Sequence, residues 1–171
     1  SATRVSEGLS WQEGWVGSAL SGFRRRHNCE DSYWKVALRV EAALLAGEDL
    51  AGLSIDFQKA FDRVPVHLIL QLARRMGLPE GVVRALQGMY AQLIRHFRIG
   101  PVVGEGFQST NGILQGCPMS IVLLNVLMNV WSVGLKAEAP GSDPHVYADD
   151  AQSLAIHADT IQQGIVFTEI L

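Results

Sequence analysis

Cysteine is nearly missing from this chain. Two stand among 171 residues, Cys29 and Cys117, in no Cys-x-x-Cys or Cys/His spacing. That leaves no basis for a disulfide framework or a structural zinc site, and it fits a reducing intracellular compartment, nucleus or cytoplasm. Long apolar runs are missing too. The nearest, residues 121–131, is interrupted by Asn125 and Asn129. It falls short of the roughly 18 residues that a membrane span needs. A buried core helix is the better reading, and no membrane partner is expected. Repeats and low-complexity tracts are absent. Ser1-Ala2-Thr3-Arg4 shows neither an initiator Met nor an apolar signal region, which suggests a fragment or a processed chain.

Charge is sparse, at 18% of residues with a net −3, but it is unevenly spread. Residues 1–98 hold 13 of the 14 Lys and Arg against 10 acids; residues 99–171 hold one Lys against seven acids. A mildly basic front and an acidic back suit a polyanion at one end and cations at the other. With 48% apolar residues, the chain has enough to bury the core of one domain.

Hydrophobic spacing predicts the elements. Val36, Ala37, Val40, Ala43 and Leu44 recur at helical intervals over residues 31–45, and Gly47 marks the stop. Residues 50–57 alternate as a strand, with Leu53, Ile55 and Phe57 on one face and Ser54 and Asp56 on the other. Helices are expected over 65–76 and 79–95, the second with Val82, Val83, Leu86, Met89, Tyr90 and Leu93 as its apolar stripe, then a hairpin of 96–99 and 106–110. Pro118 opens a long apolar helix to about 135. Residues 145–156 read as two short strands joined at Asp149-Asp150, and 159–171 as a helix. Residues 1–20, with weak periodicity, read as loop or short helix. The order implies an α+β fold in which helices cover one face of an antiparallel sheet.

Two adjacent carboxylates in an apolar strand run need a reason, because like charges repel and burial penalises each. Asp149 and Asp150 can face one site only if the chain turns there, as at a hairpin tip. Asp56, near the end of the first strand and 93 residues before Asp149, is a third carboxylate. If those strands are neighbours, three carboxylates converge at one sheet end, where hard oxygen ligands select Mg²⁺ or Mn²⁺. Two such ions are the usual arrangement for in-line displacement at phosphorus. An isolated Asp-Asp pair is ordinarily a plain turn; the apolar strand context and Asp56 weigh against that reading here, and spacing alone does not settle the matter.

Three motifs, in order, carry a family resemblance. Ser54-Ile55-Asp56-Phe57-Gln58-Lys59-Ala60-Phe61-Asp62, Gly112-Ile113-Leu114-Gln115-Gly116-Cys117-Pro118-Met119-Ser120 and Tyr147-Ala148-Asp149-Asp150 resemble the catalytic motifs of reverse transcriptases. Ser21-Gly22-Phe23-Arg24 with Asp31 is similar to the upstream fingers segment. The resemblance covers roughly residues 20–157, and its details look like the non-LTR (LINE-type) retrotransposon lineage.

The resemblance implies a polymerase palm-like sheet over residues 50–171 and a partial fingers-like segment over 1–49. The thumb and the remaining fingers would belong to a longer polyprotein. It implies that Asp56, Asp149 and Asp150 are catalytic and hold two Mg²⁺ (or Mn²⁺) ions, Asp56 and Asp149 binding both and Asp150 closer to auxiliary, with the Phe57 carbonyl as a further ligand. It assigns nucleotide contacts to Arg24 as a triphosphate clamp, Phe61 as the gate against a 2′-hydroxyl, and Gln115-Gly116 beside the incoming nucleotide. The partners implied are an RNA template, a DNA primer and dNTPs. Two other readings stand beside it: an inactive or RNA-binding-only retroelement fragment, and another palm-type phosphoryl-transfer enzyme such as a nucleotide cyclase.

Overall fold

The structure, a computed structural model, describes residues 14–170; residues 1–13 of the stretch read as loop or short helix lie outside them. The elements run α1 Cys29–Ala46, β1 Ala51–Asp56, α2 Ala60–Arg63, α3 Val66–Arg75, α4 Glu80–Ala91, β2 Ile94–Ile99, β3 Val102–Gln108, α5 Pro118–Glu138, β4 Asp143–Tyr147, β5 Asp150–Ala155 and α6 Ala158–Ile170. Three strands form one antiparallel sheet in the order β1-β5-β4, and β2-β3 form a separate hairpin.

Local chemistry accounts for the boundaries. Asn28 and Asp31 form a reciprocal capping box at the start of α1, each side chain accepting the other's backbone N–H. Gly47 ends it with φ 67, a left-handed geometry that glycine adopts without a Cβ penalty. Of the stripe expected on α1, only Ala43 is buried, while Val40 and Leu44 stay exposed. The fourth helix is shorter than its apolar spacing suggested. It stops at Ala91 because residues 94–99 pair with β3 and so take strand geometry. Pro118 does stand at the first turn of α5.

α5 is the apolar axis of the molecule. Val122, Leu123, Leu124, Val126, Met128 and Leu135 are all buried. By length and hydropathy this helix could cross a membrane, but most of it lies inside the domain. The two asparagines that interrupt its apolar run fasten the chain's front to it. Asn125 Nδ2 donates to Gly22 O at 3.0 Å, and Asn129 Oδ1 accepts from Gly17 N–H at 3.3 Å. α6 packs on α5, with the Phe167 ring filling the space beside Gly134.

Cross-strand register sorts the sheet into two faces. Ile55, Ala151 and Val146 align on the face covered by α5 and α6, where Phe57 meets Trp131 edge-on at 6.2 Å. The alternation expected for β1 holds: Ser54 and Asp56 lie on the exposed side. Residues 19–21 extend the sheet beyond β4 through Ser21 N–H to Val146 O and Val146 N–H to Ala19 O, both 2.8 Å.

On β4, His145 Nε2 donates to the Asp143 carboxylate at 3.1 Å. A carboxylate only accepts, so the ring proton on that side belongs to Nε2. This bond, aided by the charges of His145, Lys136 and Arg39, outweighs partial burial and holds the Asp143 carboxyl below its ordinary 3.8. A depressed native pKa means that the contact stabilises the fold above the ordinary value. The contribution is lost as pH falls through the lower native one. Urea unfolding of wild type and Asp143→Asn across that acid range should show a gap that closes as pH drops; a constant gap would contradict it.

Candidate active site

The first carboxylate is placed by β1 and the other two by the β4–β5 hairpin. Asp56, the last residue of β1, lies directly opposite Asp150, the first residue of β5, and Tyr147 flanks Asp150 on β4. The row Asp56, Asp150 and Tyr147 therefore ends the sheet on its open face, and both carboxylates of the row are exposed. The hairpin turns one residue earlier than the sequence suggested, at Ala148-Asp149, which puts Asp149 in the turn and Asp150 in the strand. Among the described residues no three His, Cys, Asp or Glu side chains are gathered as a metal-holding group. Neighbouring strands thus bring the carboxylates to one sheet end without closing them into a ligand set.

Ala148 carries φ 59, a left-handed value at the first of two central turn residues, where a tight hairpin normally takes glycine. A non-glycine there stores strain of order 1–3 kcal/mol, which the surroundings must hold in place. What holds it is Gly22. A Cβ on Gly22 would stand 2.4 Å from Ala148 N and 3.2 Å from Tyr147 C. Phe23 then stacks on the Tyr147 ring at 6.0 Å, and the Asn125 bond secures the Gly22 carbonyl. Sequence reasoning gave Gly22 no role. The only signal was its place in the Ser21-Gly22-Phe23-Arg24 motif.

Arg24 itself donates from Nη1 to the carbonyls of Gly17 and Leu20, at 3.1 and 3.0 Å, and so braces the turn before Gly22. Lys35 Nζ makes a parallel brace from α1 to Ser18 O and Ser21 Oγ.

From Asp56 the chain runs straight into the second half of the site. The Phe57 carbonyl accepts Ala60 N–H at 3.1 Å, which leaves it one further lone pair. Lys59, with φ 54, makes the sharp entry to α2. Phe61 is half-buried against the core, and its carbonyl accepts Ile113 N–H at 2.7 Å. Gly112 N–H donates to Val64 O at 2.9 Å, and a Cβ on Gly112 (φ 94) would strike the Asp62 backbone. The Tyr90 hydroxyl bonds both Leu114 N–H and Ser120 Oγ. The loop carrying Gln115 and Gly116 is therefore anchored on both sides while those two residues remain exposed. Tyr90 is a second residue missed by sequence reasoning, which read it as one position in an apolar stripe.

The donor set is carboxylate and carbonyl oxygen with no soft ligand, which fits hard divalent cations. Two carboxylates directly opposite one another on a sheet repel, and a cation between strand ends would relieve that repulsion.

A family model described as reverse transcriptase (RNA-dependent DNA polymerase) matches residues 6–168. Among curated proteins, the retrovirus-related Pol polyprotein from type-1 retrotransposable element R2 of Popillia japonica is 29% identical over 98 residues. That match covers 57% of this chain and 16% of that protein. Among solved structures, apo telomerase from Candida tropicalis, truncated from its C-terminal domain, superposes with a TM-score of 0.68 at 12% identity, covering 98% of this chain and 36% of that one. Telomerase from Candida albicans, in complex with a TWJ fragment of telomeric RNA, gives 0.70 at 10% identity, covering 98% and 30%. At such identities the structural likeness speaks for the fold. The chain spans only a minor share of the length of each of these relatives.

Proposed function

The chain belongs to the reverse transcriptase family, matched over residues 6–168, and from that premise we propose that it is the palm-like region, with a partial fingers-like segment, of an RNA-directed DNA polymerase from a non-LTR retrotransposon. Residues 50–171 form the palm-like region and residues 1–49 the fingers-like segment. The observation that carries the reading is the register of Asp56 with Asp150 at an open sheet end, with Asp149 in the adjoining turn.

In this reading Asp56, Asp149 and Asp150, with the Phe57 carbonyl, hold two divalent cations, Mg²⁺ or Mn²⁺. Bound there, the cations supply charge stabilisation to the attacking primer 3′-hydroxyl and the leaving pyrophosphate. The protein's own task is positioning. The Gln115-Gly116 loop, fixed from behind by Tyr90, Phe61 and Val64, offers a rigid exposed edge to the incoming dNTP and its template base. Arg24 meets the triphosphate by exchanging carbonyl partners for phosphate oxygens, a trade that its planar donor fork permits. Phe61 bars a 2′-hydroxyl. The Pol relative is a retrotransposon protein and one telomerase neighbour is described with RNA, which supports an RNA template, a DNA primer and dNTPs as partners.

The test is extension of a DNA primer on an RNA template with Mg²⁺ and labelled dNTPs, using this chain and a longer polypeptide that contains it. Extension by the longer polypeptide is expected, with little from this chain alone, because this chain spans only a minor share of the length of its relatives. No extension by a folded longer polypeptide would overturn the reading. A second reading, binding of RNA without catalysis, is favoured by the lack of a closed three-ligand group among the described residues. It predicts retained RNA affinity with no extension at any metal concentration.

Phe61→Ala in the active polypeptide should raise rNTP relative to dNTP incorporation by about tenfold, on the scale of one steric contact of 1–3 kcal/mol. Because Phe61 packs partly against the core, some stability is lost as well. Competition between dNTP and rNTP in one reaction separates the two effects. An unchanged ratio would remove the gate.

A further inference from the structure

At the root of the β2–β3 hairpin, a cavity of about 280 Å³ opens between α3, α4 and residues 109–112. Its polar lining is His67, Gln87, Tyr90, Arg95, Ser109 and Thr110, and no carboxylate borders it. Arg95 gives it a permanent positive charge. Its Nη2 donates a long 3.4 Å bond to Gly112 O, while Nε is buried and lacks a hydrogen-bond partner. An unsatisfied buried donor costs roughly 1–3 kcal/mol, and no acid pairs with this guanidinium among the described residues. A guanidinium held by one long bond, with no acid partner and lining a cavity without acids, calls for an anion. The planar fork suits the oxygens of a phosphate.

The hairpin adds a second feature. Phe107 is the cross-strand partner of Arg95, so both project from the same face. Phe107 stacks on Phe97 at 4.9 Å and 20°, and the rings are 39% and 71% exposed. Stacked exposed aromatics beside an Arg phosphate site are the two components of a single-strand nucleic-acid platform. They lie outside the row of carboxylates described above.

We propose that the Arg95 cavity and the Phe97–Phe107 pair form a strand-binding site, with one backbone phosphate at Arg95 and a neighbouring base on Phe97. The inference rests on the polymerase reading only for its choice of nucleic acid as the source of the phosphate. It concerns binding alone, so it is tested without metal.

The experiment is fluorescence anisotropy of short fluorescein-labelled oligo(U) and oligo(dT) with the chain in EDTA, comparing wild type, Arg95→Gln, Phe97→Ala and Arg74→Gln. Phe97 is largely exposed, so its variant keeps the test decisive even if Arg95→Gln folds poorly. Phe97→Ala and Arg95→Gln should each weaken binding about tenfold. Arg95→Gln should also lower the salt dependence by about one phosphate contact. Arg74→Gln, which removes a cation already paired with Glu80 on the protein surface, should change little. Unchanged affinity in Phe97→Ala overturns the strand site. Perturbation of the Arg95 side-chain resonances by inorganic phosphate alone, with no oligonucleotide binding, also overturns it and leaves a free-phosphate pocket. Loss of primer extension elsewhere in the protein would not move these readouts, so failure of either idea is separately visible.

Discussion

Asp150→Asn and Asp56→Asn should each make the metal-free chain more stable while lowering templated extension by the longer polypeptide about a thousandfold. The two signs follow from one piece of geometry. The residues are Cα partners on antiparallel strands and both are exposed. Like charges so placed cost about 0.2–1 kcal/mol. Asparagine keeps the shape and removes the repulsion, so the unfolding midpoint in EDTA should rise by a few degrees. A carboxylate kept for structure has the opposite signature: Asp143, bonded to His145, should lose stability as Asn. Calorimetry in EDTA paired with single-turnover extension checks both halves. A variant that lost activity and stability together would point to folding rather than to the site.

Gly22→Ala carries the second large effect. The added methyl would stand 2.4 Å from a backbone nitrogen, so no side-chain rotation relieves the clash. Either the 19–22 segment lifts from β4, breaking the Ser21–Val146 bond and straining Asn125, or the Ala148-Asp149 turn moves. Overpacking of this kind costs about 1–3 kcal/mol. A displaced turn carries Asp149 with it, and a shift of about 1 Å at a reacting group lowers rate about a hundredfold. Gly88→Ala is the contrasting change. A Cβ there, in the interior of α4, meets nothing. It should stabilise the chain by up to about 1 kcal/mol and leave extension unchanged. Equal behaviour of the two alanine variants would show that the contact between Gly22 and the hairpin has no functional weight.

These residues also show what a linear reading can reach. The β1 alternation, the stop at Gly47 and the start at Pro118 were legible because each depends on neighbours a few residues away. Asp56 could be placed at a strand end for the same reason. Which carboxylate faces it could not. A hairpin that turns at 148–149 rather than 149–150 exchanges the partners, and the choice depends on Ala148 accepting a strained φ under Gly22. That glycine's importance comes from a contact with residues 126 positions later, which no local pattern encodes. Asn125 and Asn129 were visible only as interruptions in an apolar run, although they tie residues 17–22 to α5. Tyr90 looked like one more apolar helix position until its hydroxyl was seen to hold Leu114 and Ser120. The end of α4 was obscured because helical spacing runs on through Leu93, and pairing with β3 overrides it.

Whether Asp56, Asp149 and Asp150 act together as a site for divalent cations is decided by titration. The readout is the unfolding midpoint of the chain as MnCl₂ or MgCl₂ is added, for wild type and for each Asp→Asn variant. Binding to the folded state alone raises stability with cation concentration. A shared site gives a rise in wild type that is strongly reduced in all three variants, together with the higher starting midpoint of Asp56→Asn and Asp150→Asn. The same rise in wild type and in all three variants would contradict it.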